Sequence, residues 1–117
     1  QTLSTEGRLR YLGGSLPLPT GQAKRACNLA TAAVAALPTT VGFVGVDLVL
    51  GGDPEGCEDA VIEINPRLTT SYVGLRAACP QNLAEQMLQV AKGDLVSTSF
   101  RSRALEFDTS GAVSFAD

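Results

Sequence analysis

The chain has 117 residues, 44% of them hydrophobic and 18% charged, with nine basic against twelve acidic side chains and a net charge of −3. That length supports one folded domain, spanning 1–117, and excludes two independent cores. The acidic balance argues against nucleic acid and membrane surfaces as partners, because both need a basic excess, and the lack of histidine removes Ser-His-Asp and Cys-His catalysis and nearly all catalytic zinc sites.

Arg8–Leu12 alternates and predicts a short strand ending in a Gly13-Gly14 turn. Ala23, Ala26/Cys27, Ala30, Ala33/Val34 and Leu37 recur at helical spacing, predicting a helix over 20–37 with Thr20 as N-cap and Pro38 as stop. Cys27 lies in that stripe and is read as a small core residue. Val41–Leu50 is the strongest strand signal, Gly51–Cys57 is dense in turn formers, and Ala60–Asn65 is a second strand, so the three form an antiparallel hairpin. Thr69–Ala78 predicts a short helix opened by hydroxyl residues. Asn82 with Glu85 forms a capping box for a helix that Gly93 ends. Leu95–Phe107 is β-like, Asp108–Gly111 a turn, and Ala112–Phe115 a last strand. The order predicts an α+β fold with a mainly antiparallel sheet and packed helices.

No stretch approaches the ~20 apolar residues of a membrane span, and the N-terminus lacks a signal peptide's apolar core. Cys27, Cys57 and Cys79 form no CxxC pair and are odd in number, which points to free thiols in a reducing, cytoplasmic compartment. The first residue is Gln1, which suggests a processed product or a piece of a longer chain.

The hairpin carries most of the chemistry. Pairing its arms symmetrically sets Asp47 opposite Glu63, Leu48 opposite Ile62 and Val46 opposite Ile64. Val44, Val46, Leu48, Leu50, Ile62 and Ile64 then share one face, and Asp47, Glu63 and Asn65 share the other. Opposed carboxylates repel unless a cation lies between them. No basic residue occurs between Arg25 and Arg67, while six of the twelve acids fall in 47–63. Two carboxylates and an amide oxygen suit Mg²⁺ or Mn²⁺. Arg67 adds a guanidinium for an anionic group, and Thr69, Thr70 and Ser71 offer hydroxyls and N–H groups at a helix start. Pairing alone leaves a second reading open, in which Asp47 and Glu63 are solvated on the wet face of an amphipathic hairpin. Asp53, Glu55, Glu58 and Asp59 read as a solvated turn without the ligand spacing of an EF-hand loop.

Read as a string, Asp47 on a hydrophobic strand followed by Glu63-Ile64-Asn65-Pro66-Arg67 resembles the metal-binding signature of the ATP-grasp superfamily. The resemblance runs over about residues 12–78 and is nearest to the C-terminal part of carboxylate–amine ligases, with tyramine–glutamate ligases as the closest subgroup. It implies that Asp47, Glu63 and Asn65 hold Mg²⁺ (or Mn²⁺) against the phosphates of ATP, and that Arg67 contacts the transferring phosphate. Thr69, Thr70 and Ser71, read from the helix start itself, are expected to line the phosphate or substrate. The reaction implied joins a small carboxylate to an amine (or thiol) through an acyl phosphate. The lysines and hydrophobic linker that clamp the nucleotide in that family have no counterpart here, so the chain is expected to be a C-terminal lobe, inactive alone, that works with N-terminal lobes of the same enzyme. The alternative is a stand-alone module that keeps the fold for binding or oligomerisation; a homodimer is compatible with both.

Overall fold

The computed structural model describes residues 1–4 and 6–116. In chain order the elements are β1 (Thr2–Ser4), β2 (Arg10–Leu16), α1 (Thr20–Ala35), β3 (Gly45–Val49), β4 (Ala60–Asn65), α2 (Ser71–Ala78), α3 (Leu83–Ala91), β5 (Leu105–Asp108) and β6 (Val113–Phe115). The fold is α+β with antiparallel pairing throughout the described strands, as expected. The chain divides into two compact units, Leu18–Thr69 and Gln1–Pro17 with Thr70–Asp117.

The discontinuous unit is built on a four-stranded sheet of order β1-β2-β5-β6. Its core is small: Ala78, Leu105 and Phe107 are buried, and Tyr11, Leu16, Val73, Ala77 and Val113 pack against them. The Gly13-Gly14 turn is not observed. Both glycines lie inside β2, paired with Asp108 and Phe107 of β5. A Cβ at Gly13 would sit 2.0 Å from the Phe107 carbonyl oxygen, and Gly13 has φ +152°, so glycine serves a close strand approach rather than a reversal. Gly74 of α2 plays the same part against a side chain, since a Cβ there would come within 2.5 Å of the Phe107 ring. Strand β1 carries only three residues, too few for an alternating pattern to register.

Residues 95–104 are irregular, not the strand expected over 95–107; β5 begins only at Leu105. Polar side chains and one helix carbonyl hold residues 97–101, and the Ala104 carbonyl accepts from Ala116 N at 2.9 Å. Gln86 Nε2 donates to the Ser97 carbonyl at 2.9 Å, Thr98 Oγ1 donates to Gln86 Oε1 at 2.9 Å, and Arg101 N donates to the Ala78 carbonyl at 2.9 Å. Asn82 is the N-cap of α3, its side chain accepting from Ala84 N and Glu85 N. Gly93, at φ +90°, follows the end of α3. The last turn is closed by Asp108, whose Oδ1 accepts from Ser110 N at 2.8 Å and Ala112 N at 3.0 Å. The stronger bond that the Ser110 hydroxyl donates to Oδ1 at 2.6 Å, together with these, holds the Asp108 carboxyl below its ordinary value.

The continuous unit is α1 packed on the two-stranded sheet β3-β4. Pro19, extended at φ −52° and ψ 141°, is the N-cap of α1 in place of Thr20, which is the first helical residue. The helix ends at Ala35, two residues short of the expected last residue Leu37. Ala26, Leu29, Ala30, Ala33 and Val34 are half-buried, whereas Cys27 is exposed. The inward stripe is the expected one, with Ala23 and Leu37 also half-buried, except that Leu29 joins it and Cys27 lies outside. The strand predicted over 41–50 is regular only over Gly45–Val49.

Candidate functional site

The β3–β4 hairpin forms with Asp47 directly opposite Glu63 and Val46 opposite Ile64, the register that pairing symmetry predicts. It does not continue to the turn. Leu48 pairs with Val61, not Ile62, because the register slips by one residue between Asp47 and Leu48. Ile62 is left as the extra residue of β4 and is 64% exposed, so the expected apolar face loses it. Such an insertion bends and twists the strand that carries it. The opposed carboxylates are thus at the last regular pair before the irregularity.

Asn65 ends β4 opposite Gly45. Being two residues from Glu63, it lies on the same face as the two acids, and it is buried, with 7% of its surface exposed. Asp47 is half-buried and Glu63 exposed. After Asn65 the chain turns tightly, Arg67 N donating to the Asn65 carbonyl at 2.7 Å. Arg67 is exposed, and its Nη1 donates to the Leu68 carbonyl at 3.3 Å. The turn returns to the sheet at Thr69, whose Cγ2 lies 2.6 Å and Oγ1 3.3 Å from where a Cβ on Gly45 would stand. One face of the hairpin therefore gathers Asp47, Glu63, Asn65 and the Thr69 side chain. Thr70 and Ser71 belong to the other unit, as N-cap and first residue of α2.

Asp59 is not part of a solvated turn. Its side chain is 7% exposed and forms an ion pair with Arg25 of α1. Arg25 Nε donates to Asp59 Oδ2 at 2.9 Å, Arg25 Nη2 donates to the Gly51 carbonyl at 3.1 Å, and Gly51 N donates to Asp59 Oδ1 at 2.9 Å. Hydrogen bonding from Arg25 holds the Asp59 carboxyl below the ordinary carboxylate value, and the Arg25 guanidinium is pushed up in turn. Asp53 is also lowered, chiefly by Cys57 N–H, which donates to its Oδ2 at 2.9 Å. These contacts fix the turn to the helix. The sequence held one sign of this arrangement: Arg25 is the last base before an acid-rich stretch that has none.

Among the described residues no group of three or more His, Cys, Asp or Glu side chains could hold a metal ion. The hairpin face instead offers two carboxylates and one amide, an all-oxygen donor set suited to a hard divalent cation whose other positions go to water or phosphate. The donor chemistry fits Mg²⁺.

A family model described as an ATP-grasp domain matches residues 1–71. The chain belongs to the ATP-grasp family. The match includes Asp47, Glu63, Asn65 and Arg67 and ends at Ser71, the first residue of α2. No curated protein and no solved structure matches this ATP-grasp chain. Membership makes it an ATP-binding, ligase-type domain, with ATP and substrates as its partners.

Proposed function

We propose that this ATP-grasp chain provides the phosphate-binding hairpin of an ATP-dependent ligase that joins a carboxylate to an amine, in the manner of the tyramine–glutamate ligases. Asp47, Glu63 and Asn65 hold Mg²⁺, and Arg67 binds the transferring phosphoryl group. The observation that carries this reading is the direct opposition of Asp47 and Glu63, with Asn65 on the same face two residues on. Opposed side chains in an antiparallel pair lie about 5 Å apart at Cβ, so two carboxylates there repel unless a cation offsets them.

When bound, Mg²⁺ supplies neutralisation of the charge between the β- and γ-phosphates. The chain's own residues do the rest. Arg67, exposed at the tip of its turn, presents a planar fork of donors to the equatorial oxygens of the transferred group, where charge builds up. The substrate carboxylate oxygen forms a bond to the γ-phosphorus as the bond to the β-bridging oxygen breaks and ADP leaves. The amine nitrogen then bonds to the acyl carbon, the carbon–oxygen bond to phosphate breaks, and the amine releases a proton. No enzyme nucleophile is required, in keeping with a chain that has no histidine. Lys24 and Lys92 are exposed, and the reading assigns them no part in holding the nucleotide.

The test is calorimetric titration of the chain with Mn²⁺ and ATP, beside the variants Asp47→Asn and Glu63→Gln. The expected outcome is Mn²⁺-dependent binding that either variant weakens at least about tenfold, the order of one charge-assisted interaction, with an unchanged circular dichroism spectrum. Equal binding by wild type and both variants would remove the metal assignment. Folded protein that never binds would favour the stand-alone module.

A further inference from the structure

Both ends of the Arg67 turn are fastened to the same residue of β3. Asn65, at the start, is the cross-strand partner of Gly45. Thr69, at the end, packs its side chain into the space where Gly45 lacks a Cβ. Between them the tight Arg67 N–Asn65 carbonyl bond leaves only Pro66, Arg67 and Leu68 to span the turn. The backbone at Gly45 does not itself demand glycine, since its φ is not positive. What excludes a side chain there is Thr69.

We infer that Gly45 is a positioning residue for Arg67: by admitting Thr69 against the sheet it sets where the turn carrying the guanidinium stands over the Asp47–Glu63–Asn65 face. This inference rests on the metal and phosphate reading above. Thr is stiff about χ1, so a methyl at position 45 cannot be met by a small adjustment. Thr69 must rotate, exchanging Cγ2 and Oγ1, or lift off the strand and carry the turn with it. The three metal ligands stay on β3 and β4 in either case. Metal binding and phosphate binding therefore respond differently.

The experiment measures two affinities by water-proton relaxation, Mn²⁺ alone and Mn²⁺ with inorganic triphosphate, for wild type, Gly45→Ala, Thr69→Ser, and the double variant Gly45→Ala/Thr69→Ser. Serine keeps the hydroxyl and removes Cγ2, the atom nearest the added methyl. The expected result is that Gly45→Ala retains Mn²⁺ affinity within about twofold but loses about tenfold in triphosphate affinity, one charge-assisted contact. The double variant recovers most of that loss. A general loss of fold would lower both affinities together and would not be rescued by serine. Triphosphate affinity unchanged in Gly45→Ala, or no recovery in the double variant, overturns the inference while leaving the metal reading intact. Failure of the wild-type chain to bind Mn²⁺ at all overturns both.

Discussion

Asp59 and Glu63 stand four residues apart in an acidic stretch, and their partners separate them. Asp59 receives Arg25 and the Gly51 N–H and is nearly buried; Glu63 receives another carboxylate across the strand. A carboxyl held below its ordinary value of 3.8 binds fewer protons folded than unfolded, so it contributes stability that is fully present above about pH 4 and is lost as pH falls through its folded value. Asp53 and Asp108 are lowered as well and act in the same sense. Urea unfolding followed from neutral pH down to about pH 2 should therefore show wild type losing stability below about pH 4. Asp59→Asn should be less stable at pH 7, lose less on acidification, and converge on wild type at the acid end. Parallel curves for the two proteins would refute the assignment. At this scale the sequence revealed the Asp47–Glu63 opposition because symmetric pairing of two arms about a turn sets their register. It concealed the Arg25–Asp59 pair because that contact spans 34 positions, and no local pattern encodes which distant base an acid meets.

The elements that were legible are those whose signal is local. The residue range of β4, the Asn82 cap and the glycine after α3 follow from alternation, capping chemistry and backbone freedom over a few residues. Boundaries set by tertiary contact were not legible. Gly13-Gly14 has the composition of a turn, yet it allows β2 to approach Phe107. Residues 95–104 have strand-like composition, yet Ser97, Thr98, Ser99 and Arg101 bond to Gln86, Gln81 and the Ala78 carbonyl instead of a neighbouring strand. Ile62 could not be identified as the extra residue, because symmetric pairing counts both arms as equal. The four-stranded sheet depends on few side chains: Leu105 is 1% exposed, Phe107 7% and Ala78 0%. Leu105→Ala should cost ~2–5 kcal/mol in urea unfolding, through lost burial and the cavity left behind. Leu88→Ala, at a site 65% exposed, should cost much less. Equal effects would mean that this cluster is not the unit's core.

For the molecule as a whole, composition and charge bounded the answer before any motif did: 44% hydrophobic residues and no histidine left a folded domain without Ser-His-Asp or Cys-His chemistry. No helix among the described residues is long and apolar enough to cross a membrane. The family match over residues 1–71 then agrees with the resemblance carried by Asp47 and the Glu63–Arg67 string. The identity of the substrates was not legible, because no residue type in the hairpin distinguishes one substrate from another. The central claim is that the hairpin face binds a divalent cation together with ATP phosphates. It is tested most directly by crystals of the chain grown with Mn²⁺ and a non-hydrolysable ATP analogue, with data collected for manganese anomalous scattering. The account predicts an anomalous peak within coordination distance, about 2.0–2.2 Å, of Asp47, Glu63 or Asn65 oxygen, with phosphate density reaching Arg67. Manganese bound elsewhere on the chain, with that face holding only water, would contradict it.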